Sequence, residues 1–198
     1  MKFFYNNIFI ISNWILVFIR TLIKGKIIKN KEINILFEKI NKQSLRKDLY
    51  LQYKIIDTFE NRFELLTIHI VLVVKAMKSD SLMGNKTIQK LFDEIFKYLD
   101  NSFRELGLGD KVIEMNLNKL LSIFLKKIKL YEQALSENND SSLKKILINS
   151  IYKNEHPSNE KLYELIKYVR IQENYLLSKV EKLISNKEKI FKELNQKN

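Results

Sequence analysis

The feature that most restricts the fold of this chain is its lack of residues that interrupt helices. Its 198 residues include four glycines and one proline, whereas an all-β chain of this length needs many such residues at its turns. Glycine and proline also weaken or break helices, so their scarcity predicts long helices with short connections. Because 45% of the residues are apolar, these helices can bury a sizeable core. We therefore expect an all-α fold in a single domain.

Apolar residues spaced three and four apart predict where the helices lie. The pattern favours a single bundle of about six helices with a long C-terminal helix, over residues 33–43, 60–78, 85–106, 110–135, 143–152 and 160–194. Thr58 is a suitable N-cap for the second of these. Leu65–Val74 is apolar except for Thr67 and His69, which is typical of a central helix wrapped by its neighbours. In the third helix, the predicted buried stripe runs from Ile88 to Leu106.

The last predicted helix carries a heptad pattern. Ten residues from Leu162 to Leu194 follow strict four-three spacing, and eight of them are apolar, as in the seam of a coiled coil. A helix over residues 160–194 would be roughly 50 Å long at 1.5 Å per residue, longer than a small domain is wide. Its far end is expected either to meet a partner or to fray in solvent.

The N-terminal segment is hydrophobic and then basic. Phe3–Ile19 is a run of 17 uncharged residues, followed by Arg20, Lys24 and Lys26. Seventeen is the lower limit for a membrane span, and the polar residues in this run weaken it further. An interfacial anchor that contacts a membrane surface through residues 3–26 is favoured. A core helix, a true span and a mitochondrial address remain open alternatives.

The net charge of +12 has two interpretations. Lysine accounts for 30 of the 35 basic residues, as expected from a compositional bias that selects no particular surface. A preference for anionic partners such as ribosomal RNA or lipid headgroups is the alternative. There is no cysteine, which excludes disulfides, thiolate metal sites and a cysteine nucleophile.

No motif in the sequence points to catalysis. The two histidines, His69 and His156, lie far apart and have no metal-ligand partner at helical spacing. The chain has no HExxH, P-loop lysine, GxGxxG or GxSxG motif. Gly107, Gly109 and Asp110 form part of a predicted structural turn between two helices. We therefore expect no enzyme activity, no metal and no cofactor.

Charged residues on two predicted helices suggest a polar network. Arg62 and His69 are seven residues apart on the second helix, and Asp93 and Asp100 are seven apart on the third, with Arg104 four residues further on. Residues at these spacings share a helix face. Because buried polar groups need partners, we expect Arg62 or His69 to pair with Asp93 or Asp100. The network is interpreted either as a structural one that fixes helix register or as a client-binding site.

Four blocks of sequence carry a resemblance to a known family. Asp57–His69 resembles the DT-x-x-x-RFE-x-x-x-x-H signature of the ubiquinol–cytochrome c chaperone family, and Leu91–Phe96 is similar to its LFD-x-x-F block. Arg104–Asp110 resembles its RE-x-G-x-GD turn, and Phe124–Leu135 resembles the F…Y-x-x-AL ending of the following helix. One departure is Leu125-Lys126-Lys127, where the family commonly has Gly-Arg after the phenylalanine.

The resemblance implies an assembly chaperone that binds newly made cytochrome b and supports biogenesis of the ubiquinol–cytochrome c reductase (bc1) complex. It places the chaperone domain at residues 32–175, between a leader (1–31) and a C-terminal helical extension (176–198). The implied partners are cytochrome b and, as a further option, the ribosome, with no DNA. The implied location is the cytoplasmic side of a bacterial inner membrane or, alternatively, the mitochondrial matrix. The residues named for client binding or the structural network are Arg62, Phe63, Glu64, His69, Phe92, Asp93, Asp100 and Arg104.

Two other classes of protein remain open from the sequence. A ribosome- or RNA-binding helical module predicts a contiguous lysine face and binding that weakens steeply with salt. A coiled-coil interaction protein predicts that residues 160–194 associate through their heptad seam.

Overall fold

A computed structural model of the chain describes residues 29–80, 85–137, 140–153, 158–183 and 189–193. These residues form helices and turns and contain no β-strand, as the all-α prediction requires. The helices, in chain order, are α1 (Asn30–Ser44), α2 (Lys47–Gln52), α3 (Phe59–Ser79), α4 (Asn85–Glu105), α5 (Asp110–Ser136), α6 (Ser141–Leu147) and α7 (Asn159–Leu177).

Helix α3 is the centre of the bundle. It begins after Thr58, whose Oγ1 accepts a hydrogen bond of 3.2 Å from the backbone N–H of Asn61, so the predicted N-cap is confirmed. Every residue from Phe63 to Val74 is buried. The helix packs against α1, α5 and α7, which explains why it is apolar on all sides.

Helices α4 and α5 form an antiparallel hairpin whose turn depends on Gly107. Its φ of +75° lies in the left-handed region that glycine adopts without strain. The N–H of Gly107 donates to the carbonyl of Arg104 (2.9 Å), and the N–H of Leu108 donates to the carbonyl of Phe103 (3.3 Å). These two bonds form a Schellman motif, which satisfies carbonyls at the end of α4.

The buried stripe predicted for α4 is correct except at Phe92, which is half-buried, and at its end. Ile88, Leu91, Ile95 and Leu99 are buried in the core. Leu106, the last member of the predicted stripe, is 73% exposed. It lies after the last residue of α4, where the chain turns toward α5.

Helix α6 is shorter than the sequence predicted, because its continuation widens into a π-helical turn over Ile148–Tyr152. Ile151 and Tyr152 are buried in this turn, and the Tyr152 hydroxyl donates to the backbone carbonyl of Tyr53 (2.8 Å). The wider turn therefore places an aromatic side chain against the segment that follows α2. Lys153 then leaves the helix with a positive φ of 49°.

The prediction of one C-terminal helix over residues 160–194 is wrong. Helix α7 ends at Leu177, Val180–Lys182 forms a short 3-10 turn, and residues 189–193 return to the side of α7. The side chain of Gln172 accepts from the N–H of Lys192 (2.9 Å) and donates to its carbonyl (2.8 Å). The return buries Leu183, Ile190 and Phe191, apolar side chains that a projecting helix would leave in water.

The return also accounts for the heptad pattern, because its described apolar members face this molecule's own core. Leu162, Ile166, Val169 and Leu176 of α7 are buried together with Leu183 and Ile190. In the described part of the chain, the seam therefore gives no support to a coiled coil with a partner.

The segment predicted to contact a membrane, residues 3–26, lies outside the described residues, as does His156. Among the helices that the structure does describe, none is long and apolar enough to cross a membrane.

Candidate functional site

His69 is the centre of a buried chain of hydrogen bonds that joins three helices. Its Nδ1–H donates to the carbonyl of Leu65 (2.6 Å), so its Nε2 accepts from the hydroxyl of Tyr168 on α7 (2.6 Å). The Tyr168 oxygen accepts in turn from Nε2 of Gln43 on α1 (3.0 Å). His69 is fully buried, and burial lowers its pKa to about 4, because a charged imidazolium would lose its hydration. A neutral ring therefore holds α1, α3 and α7 in register.

Aromatic rings enclose this chain. The centroid of the Tyr53 ring lies 5.7 Å from that of Tyr168. The His69 and Phe191 rings are nearly perpendicular, with centroids 5.2 Å apart. His69 has no exposed surface and Tyr168 is 2% exposed. A client cannot contact His69 unless the bundle opens, so the geometry favours the structural interpretation of this residue.

Glu64 is the centre of a second buried network, between α3 and α5. Its Oε1 accepts from the Tyr131 hydroxyl (2.5 Å), and its Oε2 pairs with Lys127 (2.6 Å). Lys127 also donates to the hydroxyl of Ser150 (2.9 Å), and burial raises the pKa of Tyr131 well above its usual value. The Glu64 side chain is 2% exposed, so its charge depends on these partners. Its cation comes from the Leu125–Lys127 stretch, in which this chain departs from the family pattern.

A third network ties the C-terminal end of α5 to α7. Arg170 donates to the carbonyls of Leu135 (3.1 Å) and Glu137 (3.2 Å) and pairs with Asp140 and Glu173. Glu173 also pairs with Lys75 of α3 (2.5 Å). A cation at a helix C-terminus donates to carbonyls that have no partner within the helix and interacts favourably with the helix dipole. Arg170 therefore stabilises the C-terminal end of α5.

The predicted pairing of Arg62 or His69 with Asp93 or Asp100 is wrong. Arg62 instead forms two hydrogen bonds with Asp57 (2.6 and 2.8 Å), and this pairing raises its pKa. Arg62 lies in the first turns of α3, where its side chain is exposed and a carboxylate five residues earlier is within reach. The seven-residue spacing placed it on the His69 face but could not show that this end of the helix is uncovered.

The two aspartates on α4 also have local partners. Asp93 accepts from Gln89, one turn earlier (2.8 Å). Arg104 donates to Asp100 (2.7 Å) and to Asp110 (2.7 Å). The Arg104–Asp110 bond crosses the Gly107–Gly109 turn, so it braces the α4–α5 hairpin on its solvent side.

The named phenylalanines belong to an aromatic cluster around Phe124 of α5. Phe63 is buried and lies 6.2 Å from Phe124, and the half-buried Phe92 meets Phe124 edge-on at 5.6 Å. Phe59 extends the cluster to the surface, stacking on Phe63 (6.5 Å) and lying 6.4 Å from Phe103, although it is 53% exposed itself.

Further exposed apolar side chains lie around the α4–α5 turn. Leu106, Val112 and Met115 are 73%, 42% and 63% exposed. Leu106 is one turn beyond Phe103, which contacts Phe59. We name Phe59, Leu106, Val112 and Met115 the hairpin patch. Large apolar side chains that stay exposed near one end of a bundle are candidates for binding another protein.

Several residues of the buried networks were missed from the sequence. Tyr131 lies in the Phe124–Leu135 block but was not predicted as a site residue, although a tyrosine hydroxyl that becomes buried needs a polar partner. Tyr168 gave a weaker signal of the same kind. Gln43 and Lys127 gave none, because one ends a helix and the other stands in a run of lysines. Within the described residues, no three histidine or acidic side chains are arranged to hold a metal ion.

The fold and these contacts define an all-α bundle protein. Its buried polar side chains join its own helices, and exposed apolar side chains lie near its α4–α5 hairpin. A sequence model of the family "Ubiquinol-cytochrome C chaperone" matches residues 51–188, and the chain belongs to this family. All four sequence blocks that carried the resemblance lie within the match.

The fold is also similar to a solved structure. The crystal structure of the Cbp3 homolog from Brucella abortus matches with a TM-score of 0.71 and 28% sequence identity, covering 84% of this chain and 91% of that one. A search of curated proteins gave no match.

Proposed function

We propose that this chain binds newly made cytochrome b and supports biogenesis of the ubiquinol–cytochrome c reductase complex. The observation that carries the proposal is membership of the ubiquinol–cytochrome c chaperone family over residues 51–188. The similarity to the Cbp3 homolog over most of both chains supports it further.

The chemistry of such a client fits the hairpin patch. A membrane protein that is still being assembled exposes apolar helices to water, and covering them with apolar side chains is favourable. Fully burying one large apolar side chain contributes about 1.5–3 kcal/mol. Part of the surface of Phe59, Leu106 and Met115 is already covered, so the patch contributes less than this for each residue. A binding free energy of this size is compatible with a chaperone that must later release its client.

The proposed mechanism is reversible and involves no covalent step. The networks around His69 and Glu64 hold the helices in register, and the patch receives an apolar helix of the client by packing alone. Arg62 is an exposed charge at the start of α3, Asp93 and Arg104 are exposed charges on α4, and Asp100 beside Arg104 is half-buried. They suit polar contacts at the rim of that interface.

The proposal extends to partners and location. Residues 3–26 keep the chaperone close to a membrane surface, and the ribosome is a further partner at which the client emerges. The location is the cytoplasmic side of a bacterial inner membrane, with the mitochondrial matrix as the alternative. We propose no enzyme activity, cofactor or DNA partner.

Site-specific crosslinking tests the proposed client contact. A photoreactive amino acid at position 59 or 115 should capture cytochrome b in cells that are synthesising it. The matched control is position 177, because Leu177 is also exposed (36%) and lies beyond Glu173, which pairs with Lys75 near the opposite end of α3. Equal capture of cytochrome b from positions 59, 115 and 177, or capture from none of them, would contradict the assignment.

A further inference from the structure

The outward face of α5 is basic along its length. Lys111, Lys119, Lys126 and Lys129 are exposed. At about 100° per residue they fall within an arc of roughly 80°, and at 1.5 Å per residue they span about 27 Å. We name these four residues the α5 lysine face.

The exposed acidic residues of α5, Asp110 and Glu114, lie in its first two turns. From Met115 to the end of α5 there are nine exposed residues: Met115, Asn118, Lys119, Ser122, Lys126, Lys129, Leu130, Gln133 and Ser136. In the same stretch Glu132 is partly buried and pairs with Lys78 of α3. On α4, by contrast, exposed Lys97 pairs with Glu94. The α5 lysine face is therefore a positive stripe on a rigid helix, and it attracts anionic surfaces.

Apolar side chains lie among the lysines. Leu130 is 51% exposed beside Lys129, and Met115 is 63% exposed one turn from Lys111 and Lys119. A nucleic-acid backbone offers such side chains no favourable contact, and the face has no arginine or aromatic side chain to read or stack on bases. The boundary between lipid headgroups and acyl chains satisfies both kinds of residue.

We infer that the α5 lysine face binds the surface of a membrane containing anionic phospholipids, with α5 parallel to the bilayer. This contact is separate from residues 3–26 and does not depend on the identity of the client. It would orient the bundle with the hairpin patch at the membrane surface, beside the end of α5 that carries Val112 and Met115.

The test uses the full chain and vesicles of phosphatidylcholine with or without phosphatidylglycerol, measured by co-sedimentation. Removing one surface-bound lysine weakens partition about fivefold, so the double variant K119Q/K126Q should bind phosphatidylglycerol vesicles about 25-fold more weakly. The matched control is K42Q/K47Q, which removes the same charge from exposed lysines of α1 and α2 and should bind nearly as wild type. When two parts of one chain bind the same surface, their contributions to the binding constant multiply. The ratio of the wild-type and variant binding constants therefore reports on α5 even when the N-terminal segment also binds.

Two further measurements distinguish binding to a lipid surface from binding to phosphate groups alone: the effect of Leu130→Ser, and the binding of each variant to single-stranded RNA. Leu130→Ser should weaken vesicle binding and leave binding to single-stranded RNA unchanged. The inference is overturned if K119Q/K126Q and K42Q/K47Q weaken vesicle binding equally, if neither weakens it, or if K119Q/K126Q weakens only RNA binding.

Discussion

Several polar side chains inside this bundle have partners on other helices, and their contribution to stability depends on those partners. Tyr168 is one example, because its hydroxyl serves His69 and Gln43 together. A buried polar atom left without a partner costs about 1–3 kcal/mol. The buried side-chain oxygen Oδ1 of Asn61 is an exception, since it has no hydrogen-bond partner among the described residues.

His69 makes stability depend on pH. Its folded-state pKa of about 4 lies below the ordinary value of 6.5, so the unfolded chain binds a proton that the folded chain excludes. The free energy of unfolding should therefore fall as the pH decreases from about 6.5 to about 4, by up to about 3 kcal/mol in total. Above pH 6.5 this contribution is fully present.

Urea unfolding at several pH values measures this effect, with His69→Gln as the comparison because acidic residues titrate in the same range. The variant should lose less stability than wild type between pH 6.5 and 4. Parallel curves for the two proteins would show that His69 does not titrate as described.

Glu64 gives a second prediction at the residue scale. Glu64→Ala leaves Lys127 without its carboxylate and Tyr131 without its acceptor, so it should lower the free energy of unfolding by about 3 kcal/mol. Glu114→Ala, on the exposed side of α5, should change it by less than about 0.5 kcal/mol. Chemical denaturation measures both. Similar small losses for the two variants would mean that the Glu64 network contributes little.

At the scale of elements, the positions of α1, α3, α4 and α5 followed from the sequence because each carries apolar residues at helical spacing. The six residues of α2 were not predicted as a helix, because only Leu49 among them is buried. The predicted and observed bounds of α3, α4 and α5 agree within about two residues. The partners of individual charges did not follow, because Asp57 lies near Arg62 only once the chain before α3 has turned. The C-terminal return could not be predicted from spacing, since the same heptad pattern fits a straight helix and a chain that folds back on α7.

The α4–α5 turn gives a test with a matched pair of glycines. Gly107 has a φ of +75° and open space where a Cβ atom would lie, and Gly109 has equal space with a φ of −74°. Gly107→Ala should therefore destabilise the protein by about 1–2 kcal/mol through backbone strain alone. Gly109→Ala should stay within about 0.5 kcal/mol of wild type. Thermal unfolding of both variants checks this, and an equal effect of the two would exclude strain at Gly107.

Because residues 189–193 pack back on the bundle, a substitution in this segment should strongly affect the stability of the whole fold. Phe191 is 6% exposed and packs on His69, so Phe191→Ala should lower the free energy of unfolding by about 3 kcal/mol. Glu193→Ala, at an exposed position two residues later, should have little effect. If both variants unfold like wild type in urea, residues 189–193 do not pack on α7.

At the scale of the whole molecule, ordered sequence blocks were enough to predict the family, and the match over residues 51–188 shows it. The blocks mark mainly the helix ends and buried networks of the bundle, such as Arg104 at the hairpin and Glu64 in the core. The hairpin patch was not predicted, because periodicity assigns Leu106 to a buried stripe. The structure shows that Leu106, which follows the last residue of α4, is exposed to solvent.

The central claim is that this bundle holds cytochrome b without altering a covalent bond. Affinity purification of the tagged chain from its own membranes tests it most directly, with the amount of assembled bc1 complex measured in a deletion strain. We expect cytochrome b to be recovered with the wild-type chain, less of it with Phe59→Ser/Met115→Ser, and a reduced amount of bc1 complex after deletion. No cytochrome b in the purified material, together with a normal amount of bc1 complex in the deletion strain, would contradict the account.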